Sequence, residues 1–429
     1  MFFPVFNTAP QSIVFIVFLI SSIFFYKNTF FVRINNRNLW KTYFLITGFI
    51  WFSAITFFWS DDKVVFLKEI RPTIAIFIIP FIFLFFIPNL KQKDKLKIYL
   101  GFIICMVIYS FMWFHHHVEG VSIYQEKVLN EIPIRDFSLI DKLNYFKLKT
   151  YKGWISGIAN RGNEIGDNSF FKHYTYISAY LITSILLCIV LIKNELNKLK
   201  IVFISILISY FLIFLIYLPS AVNKAFLFFV FLFAVFQLIK SNKWRIIVFL
   251  CFLFLGGLAY KERIIRLYKD LDKWEIVSER YRNYDGRRVI DYLRYTIMNC
   301  SFEKIKEYPL VGIGLGDYQK HLSECLVESD PKNQINHNQE YNTHSQYLHY
   351  LLIGGVINIT LFLVCILFFV TKAIKSKNTL LFLFMLLMFL NFGFESYLNR
   401  IWGVLFFVLF SMIIPNWKEI KEYDNDFDA

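Results

Sequence analysis

Apolar runs of about twenty residues recur along this chain, and they leave it few ways to fold. Backbone inside the ~30 Å hydrocarbon layer of a bilayer must satisfy its own hydrogen bonds, so each such run reads as one membrane-crossing helix. The runs fall near 3–26, 39–59, 70–88, 98–114, 174–192, 201–218, 221–239, 245–260, 347–371, 379–394 and 398–415. That spacing predicts an all-α polytopic membrane protein with eleven spans. The composition agrees, with 57% hydrophobic and only 18% charged residues, outside the range of soluble domains. No basic leader ends in a small-residue cleavage site, so the first run is expected to stay as a span.

A formal net charge of +14 does not point to nucleic acid, because the cations cluster in every second break between spans. Lys27, Arg33, Arg37 and Lys41 follow the first run, and Lys91, Lys93, Lys95 and Lys97 follow the third. Lys193, Lys198 and Lys200, then Lys240, Lys243 and Arg245, then Lys372, Lys375 and Lys377 continue the pattern. Basic breaks mark the cytoplasmic side, which predicts an N-terminus outside and a C-terminus inside. The long hydrophilic segments 115–173 and 261–346 then fall outside, together with the short breaks near 60–69, 219–224 and 395–400. Three units are expected: a bundle over 1–260, an outer loop over 261–346, and closing spans with a tail over 347–429. The start of that outer loop, KERIIRLYKDLDKWEIVSERYR, alternates in charge like an amphipathic helix at a membrane surface.

Charged groups at span ends are costly to keep there and often functional. On the outer side these are Lys68, Arg71, Lys224, Arg287, Arg288, His344 and Glu395. Lys224 opens an apolar run and reads either as a snorkelling interfacial lysine or as a ligand for an anion. Arg287 and Arg288 follow Gly286 where a helix is expected, and an arginine fork binds phosphate oxygens in pairs. Gly312, Gly314 and Gly316 alternate in VGIGLGD, as a phosphate-cradling loop or as backbone pressed against neighbouring helices. Asn342 or Thr343 is placed to cap a helix, with His344 in its first turn. A helix N-terminus there disfavours imidazolium and leaves a neutral ring able to take a proton. His349 reads as structural. His115, His116 and His117 are about 100° apart in succession on a helix and cannot all meet one metal there.

The order of these motifs resembles that of the O-antigen ligase and O-antigen polymerase superfamily of bacterial inner-membrane glycosyltransferases. A cationic residue opens a middle span, then come GRR with a following aromatic, PLVGIGLGD, THSQYL with Gly354 and Gly355 downstream, and a final ESYL hairpin. The similarity covers roughly 200–415. It implies a GT-C-like bundle of eleven or twelve helices with a large periplasmic loop, and it implies a glycan donor on undecaprenyl pyrophosphate. Neither a metal nor any other cofactor is implied. Carried over residue by residue, His344 and Arg288 are the catalytic candidates, while Lys224, Arg287, Arg71 and Glu395 are candidates for binding substrate. Ser345 stands where the family usually has asparagine, Ile353 where glutamate is common, and Lys224 where arginine is found.

The function implied is transfer of the glycan to a hydroxyl of a lipid A core acceptor at the periplasmic face of the inner membrane. A polymerase joining lipid-linked repeats is the alternative, with a lipid-linked glycan as acceptor. A transporter of the same lipid-linked sugars is the third reading. Transporters typically show inverted repeats or broken helices near mid-membrane, and the sequence displays neither. A periplasmic loop would be oxidising, which permits but does not require a bond between Cys300 and Cys325.

Overall fold

The computed structural model describes residues 8–124, 174–194, 197–218, 220–239, 241–243, 246–247, 286–329, 341–415 and 417. Among them the chain is helical, with no strand. The helices are α1 (Thr8–Arg33), α2 (Arg37–Ile55), α3 (Lys63–Ile70), α4 (Ile74–Phe81), α5 (Gln92–Tyr124), α6 (Tyr174–Asn194), α7 (Lys198–Tyr217) and α8 (Ala221–Leu238). They continue with α9 (Gly286–Glu307), α10 (Tyr318–Ser329), α11 (Gln346–Lys375), α12 (Thr379–Phe394) and α13 (Ile401–Ile413). Seven described helical stretches are long and apolar enough to cross a membrane, and three shorter apolar helices accompany them. These account for ten of the expected spans. The span expected at 245–260 and the segments 125–173 and 251–285 lie outside the described residues, apart from Ile246 and Ile247.

Asn and Asp open many of these helices, because their short side chains can accept the first free N–H groups. Asn36 accepts from Asn38 and Leu39, Asp62 from Val64 and Val65, and Asn197 from Leu199 and Lys200. At the basic end, cations satisfy the closing carbonyls. Lys95 donates to Ile414 and Pro415 at 3.1 and 2.7 Å, and Arg33 donates to Ile87 at 2.8 Å. The core runs through α6, whose residues from Thr175 to Ile189 are all buried. Outer faces instead carry exposed apolar residues such as Phe203, Ile206 and Ile216, as a lipid-facing surface should.

The largest departure from unbroken spans is inside α11. Gly355 takes φ 60° and ψ −160° and splits the helix. The loop 309–317 fills the gap: Ile313 and Gly314 donate to the carbonyls of Leu352 and Ile353, both at 3.0 Å. In return Val356 and Ile357 donate to Pro309 and Leu310, at 2.8 and 3.4 Å. Backbone that leaves a helix at membrane depth must be satisfied by protein, and here a second chain segment does it. A Cβ on Gly312 would lie 2.4 Å from the Gly354 nitrogen, and one on Gly355 would lie 2.3 Å from Leu310 backbone. The glycines are therefore close-packing residues. Their loop is no phosphate cradle, because Leu315 and Gly316 also donate, to the hydroxyls of Thr56 and Ser60, both at 3.1 Å.

Gly312→Ala combines a positive φ with this backbone overlap and should destabilise the protein by more than ~1 kcal/mol. Melting in detergent should show a clear loss relative to Gly101→Ala, whose added Cβ would meet nothing within 4 Å. Equal melting of the two variants would contradict the interlock.

Candidate functional site at the outer end of the bundle

Asp317 anchors the loop just described, its carboxylate accepting the N–H groups of Asp61 at 2.8 Å and Asp62 at 3.0 Å. The same end of the bundle gathers the starts of α6, α8, α11 and α13 with the turn 395–400. Asn223, fully buried, donates to Ser178 at 2.8 Å and exchanges amide hydrogen bonds with Asn391. That contact ties α8 to α6 and α12 and puts Lys224, half-buried in the next position, at this end. Tyr397 donates to the Thr175 carbonyl at 3.1 Å and packs on Tyr176 with ring centroids 4.3 Å apart.

His344 stands just before α11, outside its first turn. Ser345 is the cap, its hydroxyl accepting from the Leu348 N–H at 3.4 Å, while Asn342 accepts the His344 N–H at 2.9 Å. This differs from a cap at Asn342 or Thr343: Asn342 closes a local turn, and the helix starts two residues later than that turn. His344 adopts φ 49°, one of two non-glycine residues with positive φ among those described. Such a conformation costs of order 1–3 kcal/mol and persists where the surroundings impose it.

The surroundings are identifiable. The Thr343 hydroxyl lies 3.1 Å from that of Ser396, joining the histidine segment to the 395–400 turn. Fully buried Gln346 accepts the Leu398 N–H at 2.6 Å and donates to Asn399 at 3.2 Å. His349 is buried, 3.3 Å from the Asn399 amide and edge-on to Tyr318, in keeping with a structural role.

Three charged groups bear on His344 or share its neighbourhood. Arg294, half-buried on α9, hydrogen-bonds with Tyr174. Arg400 is exposed at the start of α13. Glu395 is 5% exposed. Burial, and then the charges of Arg294 and Arg400, push the His344 imidazole down to about 4. The ring is therefore neutral at pH 7, and its Nδ1 has no hydrogen-bond partner. Burial raises the Glu395 carboxyl above its ordinary range, against the opposing pull of Arg400 and Arg294. The Nε of Arg294 is likewise buried without a partner. Donors and acceptors left open beside a cationic pair form a site that an anion bearing oxygen atoms would complete.

Arg71 is exposed on the turn Arg71–Thr73, which packs beside Tyr397–Asn399. Arg287 and Arg288 lie in the first turn of α9, and their side chains are outside those described. The sequence reading does not single out Arg294 or Arg400, although Arg294 stands six residues after Arg288 and Arg400 ends the break 395–400. Their signal was a charge inside an otherwise apolar-aromatic stretch at an outer span end. Among the described residues no group of three or more His, Cys, Asp and Glu side chains could hold a metal. Cys300 on α9 and Cys325 on α10 are disulfide-bonded, with Cα atoms 5.7 Å apart.

Positive neighbours disfavour imidazolium, so removing either one raises the affinity of His344 for a proton. In a histidine-resolved NMR titration, assigned with His344→Ala, the wild-type signal should move near pH 4. Arg294→Gln and Arg400→Gln should each shift that midpoint upward. A midpoint that stays put or falls would contradict the arrangement.

Comparison with known proteins adds one match. A family model described as O-Antigen ligase matches residues 175–363, a stretch that contains Lys224, Arg294, the 309–317 loop and His344. No curated protein matches the chain. The ordered sequence motifs, the multi-span helical bundle and this match over residues 175–363 together support a relation to the O-antigen ligase and polymerase superfamily.

Proposed function

We propose that the protein transfers a glycan from undecaprenyl pyrophosphate to a hydroxyl of a lipid A core acceptor, at the periplasmic face of the bacterial inner membrane. The observation that carries this reading is a neutral histidine with an open Nδ1 beside two arginines and a buried carboxyl, all at one end of the spans. Orientation follows from the basic breaks at the opposite end. The Cys300–Cys325 bond fits a loop in an oxidising compartment.

In this reading Arg294 and Arg400 hold the donor pyrophosphate, with Lys224 and Arg71 at the rim of the same end, and Arg287 and Arg288 available from the start of α9. The buried Glu395 carboxyl, on which the charges of both Arg400 and Arg294 bear, balances part of that positive charge. The bond from the anomeric carbon to the phosphate oxygen breaks, and its electron pair stays on the leaving pyrophosphate. The nearby cations stabilise the charge that grows there. The acceptor oxygen bonds to the anomeric carbon, and its proton passes to His344, which later returns it to water. Lysine at position 224 supplies a point charge without the paired fork of arginine.

The donor also prepares the base. Its negative charge offsets Arg294 and Arg400, so the His344 imidazole becomes a stronger proton acceptor once the donor is bound. The acid limb of kcat/KM, which reports the free enzyme, should therefore lie near pH 4. The acid limb of kcat, which reports the loaded enzyme, should lie at higher pH. Coincident limbs would remove this coupling.

The break at Gly355 is the feature that favours the transporter reading, and a transfer assay separates the alternatives. Purified protein should be supplied with undecaprenyl-pyrophosphate glycan and lipid A core, in parallel with His344→Ala and Arg294→Ala. Product on the core, reduced roughly 10²–10³-fold in each variant, is the expected outcome. Longer glycan on the carrier would make the protein a polymerase. No product of either kind, with glycolipid movement across vesicles retained in His344→Ala, would make it a transporter.

A further inference from the structure

Far from this site, at the basic end of the bundle, α2 and the second half of α11 enclose a groove of about 640 Å³. Its walls are apolar: Trp40, Phe44, Leu45 and Gly48 come from α2, and Leu361 and Val364 from α11. Arg37 and Lys41 stand at one end of it, one helical turn apart, both exposed. No acidic residue lines the groove, and among the described residues neither cation has an ion-pair partner. Trp40 is fixed at that same level by donating its indole N–H to the Ile34 carbonyl at 2.8 Å and by packing against Phe85 and Phe44.

The depth of the groove is informative. Gly48 lies eleven residues beyond Arg37 on α2, which at 1.5 Å per residue is about 16 Å. On α11, Val364 and the deeper Leu361 lie eleven and fourteen residues from Lys375 at the basic end, about 16 and 21 Å. Half of a ~30 Å hydrocarbon layer is ~15 Å. An apolar slot one leaflet deep, topped by two cations and an aromatic residue, matches one lipid of that leaflet with a negatively charged headgroup.

We propose that this groove is a binding site for an anionic glycerophospholipid of the leaflet at the basic end of the bundle. The headgroup phosphate meets Arg37 and Lys41, and the acyl chains lie along Phe44, Leu45, Gly48, Leu361 and Val364. The site is separate from His344, so the transfer reaction and the lipid site stand or fall independently.

Native mass spectrometry tests it. Wild-type protein reconstituted in equal amounts of phosphatidylglycerol and phosphatidylcholine with identical acyl chains should retain phosphatidylglycerol preferentially. Two interfacial cations support a preference of roughly tenfold or more. The double variant Arg37→Gln, Lys41→Gln should lose that preference while eluting as wild type in gel filtration. Leu45→Trp, which narrows the groove without altering charge, should lower retention of both lipids. Lys91→Gln with Lys93→Gln, in a different basic break, should leave the preference intact. Equal retention of the two lipids by wild type would overturn the proposal. So would an unchanged preference in the Arg37, Lys41 variant or an equal loss in the Lys91, Lys93 variant.

Discussion

The backbone exchange between the 309–317 loop and the break at Gly355 is the contact on which the rest of the outer end depends. A helix interrupted inside a bilayer exposes carbonyls and N–H groups that lipid cannot satisfy, and each unmet group costs ~1–3 kcal/mol or more. Here Leu352, Ile353, Val356 and Ile357 all find partners in one loop. The same loop is pinned at its far end by Asp317 to the turn after α2. Three parts of the chain distant in sequence are thereby locked together, and the short first piece of α11 is held against them. His344 precedes that piece directly, so the interlock sets where the histidine stands.

A second constraint is electrostatic. Burial and two neighbouring arginines keep His344 neutral, while burial holds the Glu395 carboxyl against its charged form. An arrangement with more positive charge than negative, and with buried polar atoms unmatched, is suited to an anion. Under the proposed function a bound pyrophosphate has two effects at once: its oxygens gain partners, and the imidazole beside them becomes a stronger base. Binding and proton removal are then coupled through the same pair of guanidinium groups, with no moving part required.

Much of this was legible beforehand, for reasons that are local. Hydropathy is a property of neighbouring residues, so the spans, the basic breaks and the shared outer side of Lys224, His344 and Glu395 could be read in order along the chain. The cap was misplaced by two or three residues because Asn342, Thr343 and Ser345 are all good caps, and only the hydrogen bond from Leu348 to Ser345 decides among them. The break in α11 was hidden because a glycine pair in an apolar run fits an intact helix as well as a broken one. What breaks it is the partner loop, some forty residues earlier in the chain. Arg294 and Arg400 were passed over for the same reason: whether an arginine reaches a histidine fifty residues away is a matter of packing that hydropathy does not carry.

The account turns on one claim, that the anion of the donor sits between Arg294 and Arg400 with its sugar facing His344. A structure of the protein with an undecaprenyl-pyrophosphate-linked sugar bound would test this directly. The account predicts pyrophosphate oxygens within hydrogen-bond reach of both guanidinium groups, and an anomeric carbon open to attack from the side of the His344 ring. Pyrophosphate bound elsewhere on the bundle, with Arg294 and His344 untouched, would contradict it.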